Sequence, residues 1–403
     1  MKLEQAIFAK VFLIVFACIF IQVAYSGLIT PPSEGDSIDY HIPLAAAYFT
    51  GDIFLPENTT AVTHTKYYPA NSEAILSILM LGNIPLGLFN VIAIAVLFTI
   101  CIRLGLVFKL SINTSIIFAV TVCTLNIILR WSNTQIIDIW LLNFFLLTLI
   151  FLEKPKKTSK YFLKLGIASG LLIGTKFSAP FIFIVLMVVY TRRILPYFNF
   201  DRSIVFLIPF VVLGVFWYFR NIVLTGNPLY PQAFLFFEGG KSTILNTTVL
   251  KVFSTSLYGL VGTLNGYLSE FLAWAVLIPA TIVAFYKKSN KSKLGLPVRL
   301  VFLSLLLCVF LVNLPSANQE HIMTSSFRYF LPAIIPLILF VFIYFEKIGK
   351  VELLSVISLS SLLLVEYPLG YFPKLFFLTI PLGIYIYSSG YDRIARFYMK
   401  RSD

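Results

Sequence analysis

The sequence predicts an all-α, multi-span integral membrane protein, and three observations carry that assignment. Hydrophobic residues make up 59% of the 403 positions and charged residues only 12%, with a mean hydropathy of +0.89. A soluble chain keeps roughly a quarter of its residues charged, so soluble, disordered and nucleic-acid-binding classes are set aside. Apolar runs of the length a bilayer core of about 30 Å requires recur along the whole chain. The basic residues, finally, are not scattered but gathered in alternate loops.

The apolar runs read as ten to twelve spans in a single polytopic domain covering residues 1–403. They lie near 7–29, 84–102, 111–129, 136–152, 163–175, 177–190, 203–224, 270–286, 298–314, 329–345, 351–366 and 372–389. The fifth and sixth are short and flank Lys176, which suits either a tight pair or a re-entrant hairpin. The first run, preceded by Lys2 and Lys10, is read as an uncleaved span rather than a signal peptide.

Orientation follows from the basic residues, because short cytoplasmic loops collect Lys and Arg. With the N-terminus inside, the inner side holds 23 of the 31 bases but only seven of the 18 acids. Both termini are then cytoplasmic, and the net charge of +13 is a topological signal rather than a nucleic-acid surface. The four cysteines, Cys18, Cys101, Cys123 and Cys308, sit in or beside apolar runs at no metal-ligand spacing and read as small core residues.

Two long segments interrupt the spans on the outer side, residues 30–73 and 225–269. The first is acidic, with Glu34, Asp36, Asp39, Asp52, Glu57 and Glu73 against the single base Lys66, and it carries His41, His64 and several tyrosines. Residues 40–49 suit a short interfacial helix that Gly51-Asp52 would end. The second opens after Arg220-Asn221 with Thr225-Gly226-Asn227-Pro228, strong turn chemistry just past a membrane helix. Its glycines among apolar residues suggest short surface-lying helices.

Four charges fall where spans meet the outer interface: Asp138, Lys176, Arg220 and Arg328. A charge there costs up to roughly 3 kcal/mol toward a helix centre, so each requires a partner, water or a function. Arg bases engage a phosphate bidentately and Lys as a point charge, so three bases converging above an apolar groove suit a lipid phosphate. For any one of them the competing reading is a base snorkelling to the headgroups. For Asp138 the competing reading is an ion pair with Arg130.

Taken together, several stretches are similar to the C-type membrane glycosyltransferases, in the bacterial branch related to protein O-mannosyltransferases and aminoarabinose transferases. They are Asp36-Ser-Ile-Asp39-Tyr40-His41-Ile-Pro43, Tyr67-Tyr68-Pro69-Ala-Asn-Ser-Glu73, Gly170-Leu-Leu-Ile-Gly174-Thr175-Lys176, the segment from Arg220-Asn221 to Pro231, and Arg328-Tyr329-Phe-Leu-Pro332. The resemblance spans roughly residues 30–335. It implies transfer of a hexosyl or pentosyl group from a polyprenyl-phosphate donor to a glycan, lipid or protein acceptor at the outer face. The family's catalytic base carries over onto Asp36 by its place before Tyr40-His41, with Asp39 as the competing carboxylate. Tyr40, His41, Lys66, Asp138, Lys176, Arg220, Asn221 and Arg328 are then the substrate-binding candidates. Two departures bear on the acceptor: Ser37 stands where relatives usually have a second acid, and their long C-terminal outer domain has no counterpart here.

The pattern calls for no cofactor. A divalent cation on Asp36, Asp39, His41 and His64 is the alternative to a solvated acidic loop. The rival from another class is a secondary transporter or lipid-linked glycan flippase, which places ionisable residues near the bilayer midplane.

Overall fold

A computed structural model describes residues 2–61, 65–233, 236–239, 257–289, 297–312 and 324–364. The predicted span at 372–389, His64, His321 and, within segment 225–269, residues 234–235 and 240–256 lie outside the described residues. All regular elements described are helical. In chain order they are α1 (Lys2–Ile29), α2 (Ile42–Thr50), α3 (Asn71–Leu81), α4 (Phe89–Val107), α5 (Ile112–Cys123), α6 (Asn126–Arg130), α7 (Asp138–Glu153) and α8 (Ser159–Ile173). There follow α9 (Ala179–Ile194), α10 (Phe200–Phe210), α11 (Phe216–Thr225), α12 (Leu257–Phe271), α13 (Ala273–Ser289), α14 (Val298–Leu311), α15 (Leu331–Lys347) and α16 (Val351–Leu363).

Among the described residues five stretches are long and apolar enough to cross a bilayer: Gln5–Ile29, Leu86–Val107, Ala179–Tyr197, Phe200–Thr225 and Ser326–Lys347. The pair α12 and α13 makes a sixth if taken as one broken span, bent by 95° at Leu272, whose φ of +52° is rare for a branched residue. The sequence reading of one straight span at 270–286 is corrected there, since the bend falls just inside its start. Other apolar runs form shorter helices, such as α5 with 12 residues and α14 with 14. They are shorter than the roughly 20 residues of a straight full crossing. The short fifth and sixth runs resolve as two separate helices, α8 and α9, broken at Gly174–Ser178.

The bundle is organised around α15. Every residue from Leu331 to Phe345 is buried, as expected of a helix apolar all round and enclosed by others. Helix α7 is nearly as enclosed. By contrast α10 and α11, joined by a π-helical stretch at Val211–Val215, leave Leu207, Ile208, Val212 and Phe219 exposed as a lipid-facing rim.

That rim is held to α8 by a glycine ladder. A Cβ on Gly166 would stand 2.3 Å from the Phe206 carbonyl oxygen, one on Gly170 2.8 Å from that of Pro209, and one on Gly174 2.2 Å from that of Leu213. Small residues at every fourth position let two membrane helices approach backbone to backbone, where dispersion packing replaces the missing hydrophobic drive.

The loop of residues 30–73 has a small core of its own, formed by Leu44, Ala47, Ile53, Ala61 and Ala70 against Trp217 of α11. The predicted interfacial helix is present as α2, and Gly51 ends it at φ +79°, a left-handed conformation that glycine adopts without steric cost. Gly226 ends α11 in the same way at φ +75°. Asn71 sews the loop to the bundle: its Nδ2 donates to the Leu213 carbonyl (2.6 Å) and its Oδ1 accepts from Trp217 Nε1 (2.9 Å).

Candidate functional site: a charged cluster at one end of the bundle

Four of the sequence-predicted charges meet in one place. Asp138 opens α7, Lys176 lies in the break between α8 and α9, Arg328 precedes α15, and Asp36 leads into a π-helical turn at Ser37–His41. Such turns recur at functional sites because the extra residue re-aims side chains. Arg328 Nη2 donates to Asp36 Oδ2 at 2.6 Å, and its Nε lies 3.2 Å from Asp138 Oδ2. The second contact is close enough for strong attraction but is not aligned as a hydrogen bond. Lys176 Nζ donates to Asp138 Oδ1 at 2.7 Å. Two acids and two bases thus neutralise one another, the condition under which buried charge is tolerated.

The two carboxylates differ in access. The Asp138 side chain is 2% exposed, whereas that of Asp36 is 38% exposed. An incoming molecule can reach Asp36, while Asp138 serves to hold Lys176 and Arg328 in position. The sequence alternative of an Asp138–Arg130 pair is corrected: Arg130 Nη2 bonds Glu270 at 2.5 Å. Asp39 is exposed and makes no ion pair among the described residues.

Aromatic rings surround the charges. Lys176 Nζ sits 4.2 Å from the centre of the Tyr329 ring, and the Arg328 guanidinium lies 4.9 Å from that of Trp131, both favourable cation–π placements. Tyr40 packs on His41 with ring centres 4.0 Å apart and edge-on to Tyr68. Burial, reinforced by the nearby Asp36 charge, pushes the Tyr40 hydroxyl well above its ordinary pKa, and burial pushes that of Tyr68 up to about 12. Both phenols therefore stay protonated at neutral pH and act as hydrogen-bond donors.

His41 is held from behind. Its Nδ1 makes a 2.7 Å hydrogen bond with Glu73 Oε1, and each side chain is 1% exposed. Glu73 is the site residue that sequence reasoning missed, because among five other acids of one loop it reads as solvated surface. Its place in α3 next to apolar Ile75 and Leu76 was the available signal for burial. Ser37 accepts from the Gln135 backbone N–H at 3.1 Å and so ties the turn to the approach to α7.

Arg220, Asn221 and Lys66 are not part of this cluster. Arg220 donates to the Ile53 carbonyl (2.8 Å) and the Tyr67 carbonyl (2.9 Å) and also to Asn221 Oδ1, while Asn221 Nδ2 donates to the Tyr67 carbonyl at 3.0 Å. The three bases expected to converge are therefore two at the cluster and one fastening the loop to α11. Replacing Arg220 by Lys is expected to destabilise the chain by about 1–3 kcal/mol, because an ammonium lacks the planar fork that meets the Ile53 carbonyl, the Tyr67 carbonyl and Asn221 Oδ1 together, and only the Tyr67 carbonyl keeps another donor, Asn221 Nδ2. A lowered melting temperature in detergent together with faster proteolysis within residues 51–67 would show this; unchanged values would refute the fastening role.

Lys66 bonds Glu57, as does the Tyr67 hydroxyl. The Lys66 hydrogen bond, then that of Tyr67, holds the Glu57 carboxyl below its ordinary value of 4.5. A depressed carboxyl contributes stability that is complete above its unfolded pKa and is lost as pH falls through the folded one. Proteolysis of the loop should accordingly accelerate only as pH falls below about 4.5, and Glu57→Gln should remove most of that acceleration. Among the described residues no group of three His, Cys, Asp or Glu side chains is arranged to hold a metal ion.

Comparison with known proteins places the architecture. No family profile matches the chain, and no curated protein does. Among solved structures it is similar to ArnT from Cupriavidus metallidurans bound to undecaprenyl phosphate, with a TM-score of 0.57 and 13% identity over 96% of this chain and 72% of that one. It is similar to the apo state of the same ArnT (TM-score 0.54, 13% identity, 93% of this chain and 68% of that one). A third similarity is to the apo oligosaccharyltransferase of Archaeoglobus fulgidus (TM-score 0.50, 13% identity, 94% of this chain and 56% of that one). With its apolar helices and these neighbours, the chain is a multi-pass membrane protein with the fold of the C-type membrane glycosyltransferases.

Proposed function

We propose that this chain transfers a sugar from a polyprenyl-phosphate carrier to an acceptor on the outer side of the membrane. The observation that carries the reading is the meeting of Asp36, Asp138, Lys176 and Arg328 at one end of the bundle, with Asp36 and Arg328 in contact across 292 residues of sequence. The fold supports it, and a structural neighbour is described bound to undecaprenyl phosphate. The distribution of basic residues supports an outer position for this end.

In the reaction Asp36, the accessible carboxylate, takes the proton of an acceptor hydroxyl as that oxygen bonds to the anomeric carbon. The bond from this carbon to the phosphate oxygen breaks on the opposite face, and its electron pair leaves with the lipid phosphate. Lys176 and Arg328 turn toward the phosphate and stabilise its charge, while Asp138 keeps them from dispersing. One displacement inverts the anomeric carbon. Tyr40, Tyr68 and Tyr329 supply ring faces and hydroxyls against which a sugar packs. Asp39 is a poorer base here, being exposed and apart from both cations.

A transporter or flippase is less favoured because Asp138 is the first residue of α7 and Arg328 precedes α15. The charges stand at helix ends, not at a membrane midplane. Mass spectrometry of lipid extracts and surface glycans tests the proposal, comparing cells with the native chain, Asp36→Asn, or a deletion. The expected result is a polyprenyl-phosphate sugar that accumulates in the variant while one glycan, lipid or protein loses that sugar. Identical profiles in all three strains would overturn it.

A further inference from the structure

Helices α7, α9 and α15 carry the charged cluster at one end; at their other end they enclose a second polar site. Asp138 and Glu153 bracket α7, which places the two ends about 22 Å apart. Between the C-terminal ends of α4, α7, α9 and α15 and the start of α14 there is a cavity of about 430 Å³, within the size range of small-molecule sites. Five bases line it (Lys109, Lys154, Arg193, Arg299 and Lys347) against two acids.

The two acids fall short of balancing the five bases. Glu153 is 4% exposed and is already gripped by two arginines, through a two-pronged contact with Arg299 and a 3.1 Å contact with Arg193. Glu346 accepts the Ser111 backbone N–H at 2.9 Å. Lys109 and Lys154 have no carboxylate partner among the described residues. Lys109 also occupies a left-handed position, φ +67°, just past α4, where glycine is the favoured residue. Part of this positive charge offsets the negative ends of four helix dipoles, yet dipoles require neither a cavity nor a lysine in a glycine position. The wall beneath is apolar, with Phe108 and Ile343.

We propose that this cavity is a binding site for a phosphate-bearing anion, on the face opposite the transfer site. Basic pockets between membrane helices on the cytoplasmic side hold anionic lipid headgroups, and an apolar wall below a cationic rim suits the glycerol and first methylenes of such a lipid. A soluble pyrophosphate compound presents the same oxygens. The site rests on the fold and on these side chains, not on the transfer reaction.

The test uses the purified full chain in detergent. Native mass spectrometry measures retention of phosphatidylglycerol against phosphatidylethanolamine, and thermal shift measures the response to inorganic pyrophosphate. The variants are Lys109→Gln with Lys154→Gln, and, as a control, Lys160→Gln with Lys164→Gln, which removes the same charge from exposed positions at that end outside the cavity. Preferred retention of phosphatidylglycerol, weakened roughly fivefold per cavity lysine and unchanged in the control, supports a lipid ligand. A pyrophosphate-induced rise in melting temperature, lost only in the cavity variant and without lipid preference, supports a soluble one. Equal weakening by both double variants, or by neither, overturns the site. Because both substitutions are at exposed lysines, loss of folding does not confuse the result; the melting temperature without ligand verifies this.

Discussion

Asp36→Asn is expected to lower sugar transfer by roughly 10²- to 10⁴-fold, the range a positioned general base contributes, with little change in melting temperature. The amide has the carboxylate's shape, and its oxygen still accepts from Arg328 Nη2. Arg328 retains Asp138 as counter-charge at 3.2 Å, so no cation is stranded. What the variant lacks is a group able to take a proton at the accessible edge of the cluster. Binding of the lipid-linked donor should persist, so the loss falls on kcat rather than KM. Asp39→Asn, at an exposed position, should alter turnover by less than about twofold. The reverse ranking of the two variants in a purified transfer assay would move the base to Asp39.

The second large effect is on the protein itself. Asp138→Ala removes the carboxylate that both Lys176 and Arg328 contact and leaves two cations facing each other with Asp36 alone. Removing one partner from a buried ion pair costs about 3–5 kcal/mol, mostly as the penalty of the stranded charge. A drop in melting temperature in detergent should therefore accompany loss of activity, unlike Asp36→Asn. Asp138→Asn should be milder, since the amide oxygen still accepts from Lys176. The combination Asp138→Ala with Lys176→Met should recover part of the stability without recovering transfer. If Asp138→Ala melted as the native chain does, the arrangement of the cluster would be wrong.

Charges at the ends of apolar runs were what made the site legible. Asp138, Lys176 and Arg328 stand out in sequence because water-soluble side chains are expensive there, and the structure brings all three together with Asp36. Arg220 satisfied the same criterion for a different physical reason. Its guanidinium closes the carbonyls of Ile53 and Tyr67, and a sequence does not distinguish a carbonyl from a phosphate as the acceptor an arginine meets. Glu73 was hidden in the opposite way: one acid of an acidic loop carries no mark that it is buried against His41. The fold was legible as helical and membranous because periodicity and length report local physics. The length of each helix was less legible, because α5 and α14 are apolar like α4 but end sooner.

The ladder of Gly166, Gly170 and Gly174 gives helix α8 two faces under unequal evolutionary constraint. On one, any side chain larger than hydrogen collides with a carbonyl of the neighbouring segment within 2.2 to 2.8 Å. On the other, Leu163 and Ile167 are exposed and exchange freely with any residue that lipid accepts. Divergent descendants of this sequence would therefore preserve three positions at an interval of four while the residues between them drift. A periodic trace of that kind survives after overall identity has fallen too low to align, and it marks the seam along which α10 and α11 keep the loop of residues 30–73 in register with Lys176.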